Sequence, residues 1–164
     1  LICTLGEKVL DLATFRIEPE EIKTLSKQIC KGPAEWPPQN AAEHDGVFFG
    51  GFPGIERRPQ AVDEFSFGLY VALTPVSSSS ERHLGCAFER EMWIDSFGHG
   101  LPPEGYDLGG VSGGPMFHLK ESESGVFSWY IVGVVYNATN TLGEIVLAHH
   151  ASSIRSDGSL VKPA

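Results

Sequence analysis

The chain has 164 residues, of which 41% are hydrophobic, and it carries 12 Lys and Arg against 21 Asp and Glu, for a formal net charge of −9. This composition is typical of a folded globular protein rather than a disordered chain. The acidic balance and the lack of a basic run argue against a nucleic-acid partner. No apolar stretch approaches the roughly 20 residues of a membrane helix, so we expect no membrane partner.

The cysteines predict neither a disulfide framework nor a metal site. There are three, Cys3, Cys30 and Cys86, so they cannot all pair, and their spacing matches no metal-binding motif. This usage favours a reducing compartment and hence a cytoplasmic location. The sequence begins at Leu1 without an initiator Met or a basic leader, so we expect the native protein to extend further upstream.

Taken in chain order, the dominant hydrophobic period is two, which is typical of strands that are buried on one face. The segment 19–30 departs from this period and predicts one short helix, because Pro19 suits a first helical turn and Gly32 can close the last one. The predicted strands are residues 9–17, 46–50, 65–73, 84–88, 92–94, 116–119, 127–136 and 144–148.

A stretch with few apolar residues divides the chain. Residues 31–45 contain Trp36-Pro37-Pro38 and are predicted to connect an N-terminal piece, residues 1–30, to a larger β unit, residues 46–164. The pattern shows no βαβ rhythm, so we expect an all-β fold.

One serine stands in a glycine-rich turn, Gly110-Val111-Ser112-Gly113-Gly114-Pro115, directly before an apolar strand. Small neighbours leave the Ser112 Oγ open to a substrate, and glycines allow consecutive backbone N–H groups to point at one spot, where an oxyanion would be stabilised. The turn therefore predicts a nucleophile with an oxyanion hole. A plain tight turn between strands is the alternative.

Two other readings of the motifs fit less well. The letters around Ser112 satisfy the G-x-S-x-G elbow of α/β-hydrolases, but Asp107 to Gly110 is not strand-like, and Gly113-Gly114-Pro115 is a poor helix start. His149 and His150 are adjacent on a predicted strand, so their side chains point to opposite faces and cannot share one metal ion without distortion. We expect no metal and no cofactor. The remaining histidines are scattered singly and predict surface or hydrogen-bonding roles: His44, His83, His99 and His118.

The serine turn, the apolar strand after it and the glycine inside the strand 131–135 resemble the nucleophile region of the trypsin-like serine peptidases. Upstream, Asp11-Leu12-Ala13 before the apolar residues 14–17 is similar to the segment that carries the triad aspartate of that family. The resemblance implies a trypsin-like double β-barrel with an incomplete first barrel and a short helix. Residues 1–30 would end the first barrel, and residues 46–164 would form the second.

The resemblance also implies roles for individual residues. Ser112 would be the nucleophile, the N–H groups of Gly110 and Ser112 the oxyanion hole, and Asp11 the carboxylate that orients a histidine. Tyr106 and Asp107 would lie near the primary specificity pocket. An extended peptide or protein substrate would lie along one strand, at Tyr136, Asn137 and Ala138.

The chain departs from the family at two positions. The family's histidine precedes its aspartate, whereas only ten residues precede Asp11 and none is His. We therefore expect a missing N-terminal segment of the same protein to supply the histidine and to pack on residues 1–30. The alternative is an inactive trypsin-like module that binds extended peptides by β-augmentation. Val111 stands where animal digestive members carry an activating Asp, which implies a bacterial-type member.

Overall fold

The computed structural model describes residues 4–5, 8–9, 11–24, 33, 35–87, 89–95, 98, 100–139 and 144–161. One helix and eleven strands lie in these ranges, together with short 3₁₀ turns. In chain order they are β1 (Thr4–Leu5), β2 (Lys8–Val9), α1 (Pro19–Thr24), β3 (Gly46–Gly51), β4 (Arg57–Ala61), β5 (Glu64–Phe67), β6 (Tyr70–Pro75), β7 (Ser78–Ser79), β8 (His83–Ala87), β9 (Pro115–Glu121), β10 (Phe127–Thr139) and β11 (Ile145–His150).

A seven-stranded antiparallel sheet dominates the fold. Its strand order is β6-β3-β9-β10-β11-β8-β7, and two small hairpins, β1–β2 and β4–β5, lie outside it. The sheet curls, so that β6 and β8 approach each other although four strands separate them in the sheet: the Thr74 Oγ1 at the end of β6 donates a hydrogen bond to the Ala87 carbonyl of β8 at 3.2 Å. The result is a half-barrel, which confirms the prediction of an all-β fold with one short helix.

The hydrophobic core lies inside the curled sheet. Alternate residues of the strands point inward and are buried, because successive side chains of a strand face opposite sides. The buried set is Ala41, Val47, Phe49, Val76, Leu84, Cys86, Val111, Met116, Val132, Val135, Val146 and Ala148. Val111 belongs to this set although it lies in a loop, so the core extends to the glycine-rich turn.

The predicted connector contacts the half-barrel through the part that the structure describes. The Trp36 Nε1 donates a hydrogen bond to the Ile154 carbonyl at 2.6 Å, and Ala41 is buried in the core. His44 N donates to the Val76 carbonyl, and Val76 N donates to the Asp45 carbonyl, each at 2.9 Å. These bonds fix the start of β3 against the end of β6.

Several predicted elements are wrong at their ends. β2 ends at Val9, and residues 11–18 form neither a helix nor a strand, so the predicted strand 9–17 is not present. A 3₁₀ turn, Arg90–Met92, replaces the predicted strand 92–94. The helix runs over Pro19–Thr24, and an ion pair joins its Glu20 and Lys23 side chains at 3.0 Å. Residues 25–30 of the predicted helix lie outside the described residues, as does Phe88 of the predicted strand 84–88.

The apolar alternation at residues 65–73 does not mark a buried face. The structure divides it between β5 and β6, and its apolar members are all exposed: Phe65, Phe67, Leu69, Val71 and Leu73. The half-barrel instead packs Ala72 against the core and buries Thr74. The pairing of β6 with β3 decides which face turns inward, and this pairing places the larger apolar side chains outside.

Among the described residues, no helix is long and apolar enough to span a membrane.

Candidate active site

Backbone hydrogen bonds hold the glycine-rich turn against β10. Gly113 N donates to the Val135 carbonyl at 2.7 Å, and Val135 N donates to the Gly114 carbonyl at 2.8 Å. Within the turn, Val111 N donates to the Leu108 carbonyl at 3.1 Å, and the Val111 side chain is buried. The buried Val111 side chain and the hydrogen bonds to Val135 of β10 therefore fix the turn in place.

Two glycines in this turn adopt a backbone that other residues rarely accept. Gly110 has φ +105° and Gly113 has φ +88°, both in the left-handed region that favours glycine. A Cβ at Gly110 would also lie 2.9 Å from the Gly54 nitrogen. The positive φ angles, and at Gly110 also the nearby Gly54 backbone, therefore explain why glycines surround the serine.

Ser112 is exposed at the tip of the turn, and its Oγ donates a hydrogen bond to the Tyr136 carbonyl at 3.1 Å. Within the part of the chain that the structure describes, neither the Gly110 N–H nor the Ser112 N–H donates a hydrogen bond to another group. Both N–H groups therefore lack a partner among the described residues, as donors for an oxyanion must before a substrate binds.

The strand that receives this hydrogen bond has an open edge next to Ser112. β9 pairs with β10 only as far as Pro115 and Val134, whereas Asn137 and Ala138 pair with β11 on the other side. Tyr136 lies at a β-bulge, because the register shifts between Val135 and Asn137. Beyond Val135, no described strand pairs with the edge of β10 opposite β11. Because the Ser112 Oγ contacts the Tyr136 carbonyl, the structure places Ser112 beside the predicted substrate strand.

An apolar cavity of about 540 Å³ opens beside the turn. Ser112 and its glycine neighbours form one wall, and residues of β3, β6 and β9 form the others. Three of the apolar lining residues are more than half exposed: Phe52, Leu69 and Val71. The face around the cavity therefore presents neighbouring apolar side chains to solvent.

Asp11 lies in the irregular segment before α1, and its side chain is exposed. Burial lowers the pKa of His149, whereas the backbone of Arg82 and the Asp11 carboxylate oppose that effect. The His149 ring stacks on the Tyr136 ring, with centroids 4.2 Å apart and planes 20° apart. His149 thus packs on the residue whose carbonyl accepts the Ser112 hydrogen bond, and the Asp11 carboxylate acts on the His149 pKa through its charge.

Tyr106 and Asp107 make their contacts away from the cavity lining. The Tyr106 hydroxyl donates to the Glu56 Oε1 at 3.2 Å, and its ring stacks on Tyr70 with centroids 5.6 Å apart. Burial, followed by the Glu56 carboxylate, raises the pKa of Tyr106 to about 12. The Asp107 Oδ1 accepts a hydrogen bond from Gly109 N at 2.7 Å and stays exposed. Both residues thus stabilise the segment that precedes the serine turn.

Histidines elsewhere have partners of their own. The His118 Nδ1 is 2.8 Å from the Tyr130 hydroxyl, and its Nε2 is 3.5 Å from the Asp45 carboxylate. The buried His150 has its Nε2 2.7 Å from the Ser80 carbonyl, and His99 lies outside the described residues. Among the histidines that the structure describes, none is hydrogen-bonded to the Ser112 Oγ. Over the same residues there is no cluster of three metal-ligating side chains.

Sequence reasoning considered His149 only as half of a metal pair and missed its stack on Tyr136. No spacing rule connects these residues, since the contact depends on the cross-strand register of β10 and β11 and on the bulge at Tyr136.

No protein-family model matches the chain, and neither a curated protein nor a solved structure matches it. The resemblance to trypsin-like peptidases therefore rests on the sequence motifs alone.

Proposed function

We propose that the chain is part of a trypsin-like serine endopeptidase that hydrolyses peptide bonds through an acyl-enzyme on Ser112. The observation that carries this proposal is one hydrogen-bonded turn that presents the exposed Ser112 hydroxyl together with two N–H groups, those of Gly110 and Ser112, that have no partner among the described residues. A nucleophile beside two preorganised donors is the arrangement that acyl transfer requires.

The reaction needs a base that accepts the Ser112 proton. In the proposed mechanism a histidine from the missing N-terminal segment takes this proton while Oγ bonds to the carbonyl carbon, and the two N–H groups stabilise the oxyanion. The histidine then gives the proton to the leaving amine, and water hydrolyses the ester. Asp11 orients the histidine. The order of Asp11 before Ser112 in the chain, which is the order of the family that the motifs resemble, supports this role.

The substrate would bind as an extended strand. The open edge of β10 at Tyr136, Asn137 and Ala138 offers backbone groups beside the nucleophile, which suits β-augmentation by a peptide. The resemblance further implies that the exposed Asp107 carboxylate, which accepts a hydrogen bond from Gly109 N outside the cavity lining, would favour a Lys or Arg side chain in the substrate.

The two-barrel architecture is also a proposal. The half-barrel would be the second barrel, and the missing segment would complete the first. The exposed apolar face around Phe52, Leu69 and Val71 supports this arrangement, because burial against a further part of the protein would remove it from water.

A peptide-binding module without catalysis is the second candidate. It is favoured by the hydrogen bond from the Ser112 Oγ to the Tyr136 carbonyl, since in this state the hydroxyl donates to the backbone and not to a base. Such a module would use the same edge of β10.

Labelling with a fluorophosphonate separates the two candidates. The native-length peptidase should form one covalent adduct on Ser112, and Ser112→Ala should abolish it. Ser128→Ala, which removes an exposed hydroxyl further along β10, should label normally. A folded native-length protein that binds extended peptides but does not label would overturn the peptidase proposal in favour of the module.

A further inference from the structure

The apolar cavity beside the serine turn has a single polar side chain in its wall. Its volume of about 540 Å³ lies in the range of small-ligand sites, and its walls are apolar side chains and glycine backbone. Among the described residues that line it, none carries a charged side chain, and Ser112 alone has a polar one. The proposed nucleophile therefore stands at the wall of a cavity that suits an apolar group.

Glycines of β3 keep this space open. A Cβ at Gly50 would lie 3.4 Å from the Val71 Cγ2 and 3.9 Å from the Leu69 Cδ1, so a side chain there would point at the apolar wall of the cavity. A Cβ at Gly51 would lie 2.9 Å from the Val111 Cα. The end of β3 thus approaches the serine turn without side chains that would fill the space between them.

The cavity and the open edge of β10 lie on opposite sides of the serine turn. The turn leads directly into β9, which pairs with β3 on one side and with β10 on the other. On the β10 side, Gly113 N donates to the Val135 carbonyl at 2.7 Å, and on the β3 side a Cβ at Gly114 would collide with the Gly50 carbonyl oxygen. The described residues that line the cavity belong to the turn or belong to or flank β3, β6 and β9, and none belongs to β10. A chain that crosses Ser112 from the β10 edge is therefore directed towards the cavity.

The direction of such a chain follows from the strand pairing. Each described strand pair of the sheet is antiparallel. Beyond the Ser112 contact, β10 runs from Tyr136 to Ala138, so a peptide that extends the sheet antiparallel to it runs from Ala138 towards Ser112. Residues before the scissile bond then lie along β10, and residues after this bond leave Ser112 on the cavity side.

We propose that the cavity binds a large apolar side chain from one of the first two residues after the scissile bond. Only one of the two enters it, because successive side chains of an extended chain point to opposite sides. The inference rests on the proposed function and adds a class of substrate, peptides with a residue such as Phe or Leu on the leaving-group side. The rim of the cavity stays available to the missing N-terminal segment, whereas a segment that filled the cavity itself would cover the Ser112 hydroxyl.

Peptide cleavage by the native-length protein tests this inference. Digestion of a peptide library, followed by mass spectrometry, gives the residues on both sides of each cleaved bond. Large apolar residues should be enriched at one of the first two positions after the bond. Two peptides that differ only at that position, with Phe or Ala, should differ at least about tenfold in kcat/KM, which is the effect of burying a side chain of this size.

Val71→Asp and Leu73→Asp form a matched pair of variants. Both side chains are exposed and lie two residues apart on the same face of β6, but only Val71 lines the cavity. Val71→Asp places a charge in the wall and should reduce the preference for Phe over Ala to less than about threefold, whereas Leu73→Asp should retain it. Leu69→Asp, which changes the same wall outside β6, replaces Val71→Asp if that variant does not fold.

The outcomes separate the inference from the function. Cleavage without a preference for Phe, or an equal loss of preference in Leu73→Asp, would overturn the cavity assignment and leave the peptidase proposal intact. A Val71→Asp protein that is strongly destabilised in urea but keeps the preference would show that the protein's own upstream segment fills the cavity, which also overturns the inference. Absence of both cleavage and fluorophosphonate labelling in the wild type would overturn the peptidase proposal, and the inference with it.

Discussion

Gly114 closes the serine turn against β3, and replacing it with alanine should strongly destabilise the protein. The added Cβ would collide with the Gly50 carbonyl oxygen and would lie 2.8 Å from the Val111 carbonyl oxygen. Both obstacles are backbone atoms, so no side-chain rotation relieves them. The Gly114 backbone cannot move freely either, because its N–H donates to Val111 and its carbonyl accepts from Val135.

The magnitude follows from these contacts. Overpacking costs about 1–3 kcal/mol, and weakening two backbone hydrogen bonds adds about 1 kcal/mol each. We therefore expect Gly114→Ala to lower the free energy of unfolding by about 3–5 kcal/mol, a large share of the roughly 5–15 kcal/mol that is typical of a domain. Gly46→Ala is the matched control, because a Cβ there meets no atom within 4 Å. It should change stability by less than about 1 kcal/mol.

Urea unfolding followed by tryptophan fluorescence measures both variants. Gly114→Ala should unfold at a much lower urea concentration than Gly46→Ala, with the same dependence on urea. A Gly114→Ala protein within about 1 kcal/mol of the wild type would show that the turn is not packed against Gly50 as described.

Three further predictions test the fold and the site surroundings. Burial raises the pKa of the Cys86 thiol to about 11. In a variant with Cys3 and Cys30 replaced by Ser, Cys86 should therefore react with a thiol reagent at pH 8 only after unfolding. Rapid reaction of the native protein would contradict a closed core. The pKa of Tyr106 is raised from 10.0 to about 12, so the stabilisation by the neutral phenol is complete below pH 10 and is lost as the pH rises from 10 to about 12. Glu56→Gln should lower the Tyr106 pKa in an ultraviolet titration. An unchanged Tyr106 pKa would contradict the contact with Glu56. Trp36→Phe removes the 2.6 Å hydrogen bond to the Ile154 carbonyl and should cost about 1–3 kcal/mol in urea unfolding, a cost that would be absent if the connector were loose.

The sequence predicted the features that depend on local chemistry. Pro19 marks the start of α1, and the glycines around Ser112 predict a tight turn whose positive φ angles the structure contains. The β-rich character follows from the alternation of apolar residues, and β3, β10 and β11 lie where that alternation places them. These signals need no knowledge of distant contacts.

The features that depend on pairing could not be predicted. An alternation shows that one face of a strand is apolar, but not which sheet covers that face, so the sequence predicts a buried face over residues 65–73 whose side chains, such as Val71 and Leu73, the structure exposes. The contact between Tyr136 and His149 depends on the bulge that shifts the register of β10. The prediction of a strand before α1 is wrong because residues 11–18 have no partner strand in the structure.

Peptide hydrolysis by the native-length protein tests the central claim most directly. Protein and peptide substrates should be cleaved by the wild type, and Ser112→Ala should remove this activity while the urea unfolding curve stays within about 1 kcal/mol of the wild type, since the exposed side chain loses only one hydrogen bond. Hydrolysis that persists in Ser112→Ala, or a folded native-length protein that cleaves no peptide, would contradict the assignment of Ser112 as the nucleophile.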